Sequence, residues 1–422
     1  MRVAHGALLN LAGHAAPLAA AVVAVPPLIS AIGSERFGFV ALAWALVGYF
    51  SFFDLGLGRA LSRIVAERLS TSRQGELVPL SGSTLTLTLA LGAAAGIVLY
   101  VAAEWLCTRI LKLPAALANE AIAAMQIIGA CLPLVTLTAA LRGLLEGARQ
   151  FGWVNAIRIP LGILTFVAPL LVASASVHLA ALCAVLFLLR VVALAAHWGV
   201  CAIVLPSLAV LAIPKRHLAR EVLGYGAWVT VSNIVGSLMV YIDRFVIGAQ
   251  ISMAAVAYYS APYEVITKIW VLPGALTGAL FPALAGATSG EARALYRKGL
   301  MTLLATAVPI ALLTGLLAPY WLKLWLGADY AERGTGAAQW LALGVAVNCV
   351  AHVPFALLQA RGRADLPGKL HLLELPCYLA LLFALIPARG IEGAAIAWCA
   401  RCVIDAVLLF ALAVRGLKRE AA

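Results

Sequence analysis

Apolar residues fill this chain in runs of about 20 to 30, separated by short polar stretches, from one end to the other. The runs show neither the strict alternation of a half-buried strand nor a stripe confined to one helix face. An uninterrupted apolar stretch of that length is what an α-helix needs to cross a bilayer. The pattern predicts twelve such helices, at about 7–32, 38–66, 79–103, 119–145, 153–175, 179–204, 222–248, 254–286, 298–325, 335–360, 368–387 and 391–415. The expected fold class is therefore all-α, a polytopic membrane protein. Composition agrees: 64% of the 422 residues are hydrophobic and 11% are charged, with a mean hydropathy of +1.01. A soluble domain is nearer half apolar and a quarter charged. The first run follows a single early arginine, Arg2, and lacks a small-residue cleavage site, so it reads as a retained helix.

Charge gives the expected orientation. With the N-terminus in the cytoplasm, 16 of the 30 Lys and Arg residues fall in inside segments and 6 in outside loops. Basic loops stay inside, so both termini are expected on the cytoplasmic face of a bacterial inner membrane. The net charge of +12 is then a solvated face near anionic lipid rather than a nucleic-acid site. The longest inside connection, PSLAVLAIPKRHLARE at 206–221, lies near the midpoint. It suggests two six-helix lobes, 1–205 and 206–422. Arg190 in LLRVVALA and Arg401 in CARCVIDA stand 211 residues apart, each about eleven residues into the sixth span of its half. Parallel repeats of this kind predict a pseudo-two-fold axis along the membrane normal.

Polar groups within such spans are costly, and they usually face a cavity or one another. The deep bases are Arg190, Arg244, Lys268 and Arg401; the deep acids are Asp54, Asp243, Glu264 and Asp405. Glu264 and Lys268 are four apart in the favourable order for a helical pair. Arg401 and Asp405 have the same spacing in the weaker order, and Asp54 has no base three or four residues away. Asp243 and Arg244 are adjacent, pointing about 100° apart on a helix, so each needs its own partner. They read as a latch binding different neighbouring helices, with direct substrate contact as the lesser reading. Arginine stays charged while a buried carboxylate can become neutral, which tilts the set towards an anionic substrate. The eight cysteines lie mostly within spans and suit packing, including Cys399 and Cys402. His14, His197 and His352 are scattered, and no metal-ligand spacing occurs. No metal or other cofactor is expected. The chain has no GxxxxGK[ST] and no GxSxG, and its outside loops are too short for a catalytic cluster.

Three stretches carry a family resemblance: GYFSFFDLGLGRALSRIVAERLS at 48–70, LRGLLEGARQFGWVNAIRIPLGILTF at 141–166, and the run from YGAWVTVSN to ALFPALA at 225–285. They resemble polysaccharide flippases of the Wzx type, in the multidrug/oligosaccharidyl-lipid/polysaccharide exporter superfamily. The resemblance implies two six-helix lobes forming a V around a cavity. It implies movement of an undecaprenyl-diphosphate-linked oligosaccharide across the inner membrane by alternating access, driven by a proton or sodium ion. Arg190, Lys268 and Arg401 are then the candidates for the diphosphate. Asp54, Glu264 and Asp405 are the candidates for ion coupling, and Asp243–Arg244 for a gate. Two other functions stay open. One is export of another substrate in the superfamily, such as a cationic drug, which would favour an acidic cavity. The other is a membrane enzyme of glycan assembly.

Overall fold

The computed structural model describes residues 2–50, 57–58, 61–62, 64–65, 77–213, 227–363 and 365–419. All regular structure in them is helical. In chain order the helices are α1 (Arg2–Phe50), α2 (Leu77–Trp105), α3 (Ala115–Gly147), α4 (Phe151–Ala173), α5 (Leu179–Val204), α6 (Ala227–Gln250), α7 (Met253–Ile266), α8 (Val271–Gly286), α9 (Ser289–Ala305), α10 (Ala307–Leu316), α11 (Ala318–Leu326), α12 (Ala328–Ala360) and α13 (Asp365–Arg419). Among the described residues eight helical stretches are long and apolar enough to cross a membrane. The chain divides into two compact units, 1–241 and 242–422, with the boundary inside α6.

Two of the long helices are folded back on themselves. In α1 the reversal falls at Gly33, with φ +79°, and in α13 at Gly390, with φ +59°. A left-handed residue ends a right-handed helix, and glycine adopts it without a Cβ penalty. The second helix therefore contains the spans read at 368–387 and 391–415, and the first contains the span at 7–32 and the start of the one at 38–66. The opposite happens at 254–286, expected as one span and found as α7, a 3₁₀ turn at Thr267–Trp270, and α8. Pro273 is the cause: it has no N–H for the carbonyl of Ile269, and its ring crowds that carbonyl. A tighter turn absorbs the break. The expected span at 298–325 is likewise shifted: α9 and α10 form one apolar stretch over Ser289–Leu316, and α11 is a separate short helix.

Within the first unit, α2 and α3 pack so closely that a Cβ on Gly96 would lie 2.5 Å from the carbonyl oxygen of Gly129. Thr136 seals the same contact by donating to the Thr88 carbonyl at 3.0 Å. Small residues permit such approach where lipid gives no hydrophobic drive to association. Leu80, Leu141 and Leu144, fully buried, centre the core of this unit. In the second unit Ala351, Leu358, Leu370 and Leu409 join α12 to both limbs of α13. Large apolar side chains such as Val101, Ile203 and Leu313 point outward, while Asp243, Arg244, Glu374, Arg401 and Asp405 are buried. Apolar outside with ionic groups inside is the distribution a bilayer selects.

Candidate functional site

The second unit holds a string of polar side chains running from its interior to accessible surface. Asp243 and Arg244 of α6 are 0% and 1% exposed. The Arg244 amide donates to Asp243 Oδ1 at 2.7 Å, as in a cap, and the guanidinium Nη1 lies 3.4 Å from the same oxygen. Tyr259 donates its hydroxyl to Asp243 Oδ2 at 2.7 Å. Arg244 reaches Glu264 Oε1 at 3.5 Å and sits 4.1 Å over the Tyr263 ring. Glu264 then accepts from Lys268 Nζ at 3.0 Å. The Glu264 and Lys268 side chains are 43% and 38% accessible, so the string ends at an open surface beside the 3₁₀ turn.

This arrangement changes the reading of the adjacent pair. Asp243 and Arg244 do touch, because a flexible guanidinium bends back across the helix surface. Among the described residues their partners include Tyr259, Tyr263 and Glu264 of α7. Three residues spaced four and one apart bring one helical face against α6. Tyr259 and Tyr263 carry no charge and are ordinary in an apolar run. In YYSAPYEVITK, a polar residue every fourth position was the available clue.

The remaining candidates fall elsewhere. Arg401 is buried on the second limb of α13. It donates from Nη2 to Cys402 Sγ at 3.3 Å, lies 3.9 Å from Glu374 Oε2, and sits 5.8 Å and 5.9 Å over the Trp398 and Tyr378 rings. Asp405, one turn on, lies 3.9 Å from His371 Nε2. Arg401 thus has Glu374 as its near carboxylate, a residue passed over in the sequence. Its signal was His371 and Glu374 three apart in an otherwise apolar run. Arg190 is half-buried on α5 in the first unit, near Cys131 of α3, and its Nε has no hydrogen-bond partner among the described residues. Asp54 lies outside the described residues. His197 and His352 bond carbonyls one turn back in their own helices, at 2.8 Å and 2.9 Å. The described cysteines are all free, so Cys399 and Cys402 form no disulfide.

A helical assembly with ionic groups buried in its second unit and apolar residues facing outward is the construction of a membrane protein that works on polar groups within the bilayer. Solved structures of that class share the fold over nearly the whole chain. A multidrug resistance MATE family transporter of the MOP superfamily in its inward-facing conformation superposes with a TM-score of 0.80, at 15% identity, covering 99% of this chain and 95% of the other. A MOP superfamily transporter from Pyrococcus furiosus, described as having a binding pocket of reversed polarity, gives 0.67 at 14% identity, covering 100% and 96%. Residues 3–287 match the polysaccharide biosynthesis protein family. A Shigella flexneri protein named "Putative O-antigen transporter" is 30% identical over 420 residues, 97% of each chain. The chain belongs to the polysaccharide biosynthesis protein family, and over nearly its whole length it has the fold of MOP superfamily transporters.

Proposed function

We propose that the protein is a flippase for an undecaprenyl-diphosphate-linked oligosaccharide, moving it from the cytoplasmic to the periplasmic leaflet of a bacterial inner membrane for surface polysaccharide assembly. The observation that carries this reading is the end-to-end likeness to a protein named for O-antigen transport. Transport proceeds by alternating access of two six-helix lobes, 1–205 and 206–422, twelve helices in all. They are related by an axis along the membrane normal, and both termini are cytoplasmic. A cation gradient, of protons or sodium, drives the cycle.

In this reading the diphosphate is met by basic side chains. Lys268 is accessible at the end of the polar string, and Arg190 has an unused donor. A guanidinium can take two phosphate oxygens at once, which favours Arg190 for the bidentate contact. Arg401 is assigned to the same cavity, but its surroundings support a bracing role in its own unit as well. Asp54, Glu264 and Asp405 carry the coupling ion, and Asp243–Arg244 sets the gate through α7. Export of a cationic drug fits less well, because Glu264, the accessible carboxylate of the polar string, is already engaged by Arg244 and Lys268.

Deleting the gene tests the function. Lipid-linked oligosaccharide is expected to accumulate on the cytoplasmic side, with surface polysaccharide lost. Unchanged distribution of the lipid-linked sugar between the leaflets would sink the reading.

A further inference from the structure

One side of α9 is used neither by its packing nor by the transport reading. Ala292, Tyr296, Gly299 and Leu303 form its buried stripe. A Cβ on Gly299 would lie 2.8 Å from Leu280 of α8 and 3.3 Å from Val353 of α12, so that side is closed. Arg293, Arg297 and Lys298 stand on the outward side, all exposed. Arg293 and Arg297 are one turn apart on one face, and Lys298 flanks them. No carboxylate lies within ion-pair distance of the three among the described residues, whereas Arg333 of the same unit pairs with Asp329, and Arg363 and Lys369 with Asp365. Glu291, the one acid of α9, is turned back to the cap, where it accepts from the Thr288 amide at 2.9 Å and hydroxyl at 2.8 Å. Arg361, just past the end of α12, donates to the Ala287 carbonyl at 3.0 Å and brings a fourth cation to the start of α9. Like charges one turn apart destabilise a helix, and an anion between them removes that cost.

Depth says which anion meets them. Past Lys298 the outward residues of α9 and α10 become apolar, with Met301, Leu304, Leu313 and Leu316 exposed. The band ends at α11, where Tyr320 and Leu324 are exposed beside the Trp321–Trp325 pair. Tyr and Trp gather where hydrocarbon meets headgroups. From Lys298 to Leu317 a helix rises about 28 Å, against a hydrocarbon core of about 30 Å. An apolar band of that length, with aromatic residues at one end and bare cations at the other, puts the three cations at headgroup level. A ligand that fits has its anion at the cations and its chains along Met301 and Leu304. A lipid meets both conditions, and an ion from bulk water meets one.

We propose that Arg293, Arg297 and Lys298 bind the phosphate of an acidic phospholipid such as phosphatidylglycerol, whose acyl chains lie along the exposed side of α9. The leaflet is the one in which α9 begins, the cytoplasmic leaflet in the orientation proposed above. The two arginines supply fork-shaped donors that match phosphate oxygens, and the lysine adds a point charge. The bound lipid holds the start of α9 at headgroup level. This site is distinct from the polar string of α6 and α7 and does not depend on what the protein transports.

The test uses the full-length protein in a neutral detergent. Phosphatidylglycerol, phosphatidylcholine with the same acyl chains, or inorganic phosphate is added, and thermal unfolding is followed as a function of its concentration. A ligand of the native state raises the melting temperature. Phosphatidylglycerol should raise it well beyond phosphatidylcholine, by an increment that shrinks as salt is raised. The variant Arg293→Gln/Arg297→Gln/Lys298→Gln should bind phosphatidylglycerol about 100-fold more weakly, since each basic side chain at an anionic surface contributes about fivefold. Arg109→Gln/Lys112→Gln/Arg389→Gln removes the same charge elsewhere and should keep the wild-type response. Arg297→Gln alone serves if the triple variant fails to fold, with an expected loss of about fivefold. Equal responses to the two phospholipids, equal losses in the two triple variants, or a matching rise with inorganic phosphate would each overturn the proposal. None of these results bears on the flippase reading, which the leaflet distribution of the lipid-linked sugar decides.

Discussion

Arg190 and Arg401 occupy matching places in the two halves of the sequence, 211 residues apart, yet their surroundings differ in kind. Arg401 is buried beside Glu374, Cys402 and two aromatic faces, which occupy both terminal nitrogens and the flat side of the guanidinium. Arg190 is half-buried, has no carboxylate within ion-pair distance among the described residues, and leaves Nε unused. A repeat preserves where a residue sits, but the partner set decides what it can do. A charge surrounded by its own acids holds a unit together. One without them keeps its donors for something else.

The difference should appear first in stability. Arg401→Ala removes the cation nearest two buried carboxylates. Breaking a buried pair on one side costs about 3–5 kcal/mol, because the other charge is left uncompensated. Thermal unfolding in detergent should show a large loss, and Arg401→Lys should recover only part, since lysine restores charge without the planar fork. Arg190→Ala strands no acid among the described residues and should cost less than about 2 kcal/mol. Equal losses in the two variants would erase the contrast. Transport separates them in the other direction: Arg190→Ala and Arg190→Lys should both lose flipping while folded, as a bidentate phosphate contact requires. Normal flipping in Arg190→Ala makes that residue structural.

Next in size is Tyr259→Phe. Its hydroxyl is a donor to a fully buried carboxylate, Asp243. Removing one partner of a buried hydrogen bond costs about 1–3 kcal/mol. The melting temperature should fall, by less than for Arg401→Ala. An unchanged value would mean that water or Arg244 replaces the hydroxyl.

The helical membrane fold was legible from the apolar runs, because lipid leaves the backbone only helices or closed barrels to choose from. Ends such as 179–204 were readable to the residue. Breaks within runs were harder. Gly33, Gly390 and Pro273 each had a residue-type signal, but only packing decides whether a membrane glycine or proline bends a helix or is absorbed. The site was legible in part. The charges of Asp243, Arg244, Glu264, Lys268 and Arg401 stood out against leucine and valine. Their partners did not, because Tyr259, Tyr263 and Tyr378 are ordinary in an apolar run and the Glu374–Asp405 proximity depends on a reversal 16 residues after the one and 15 before the other. Long-range charge balance is a property of the folded unit.

The smallest expected change in stability is at Lys268, and it isolates function best. Its Nζ lies 3.0 Å from Glu264, four residues back, with both side chains more than a third accessible. A pair of that kind contributes about 0.2–0.5 kcal/mol. Glu264 also keeps Arg244 at 3.5 Å, so neutralising Lys268 does not strand the acid. Lys268→Gln should therefore melt within about 0.5 kcal/mol of wild type. If Lys268 meets the diphosphate, the same variant should flip at least tenfold more slowly, since a charge-assisted hydrogen bond is about 1.5–3 kcal/mol. Lys268→Arg should retain most of the rate, because the position is accessible and a phosphate accepts either cation. Reconstituted proteoliposomes with a labelled lipid-linked sugar read the rate directly. A wild-type rate in Lys268→Gln would remove the accessible end of the polar string from the substrate path. It would also leave Arg190, in the other unit, as a basic group among the described residues with a donor to offer, sharpening the contrast between the two arginines.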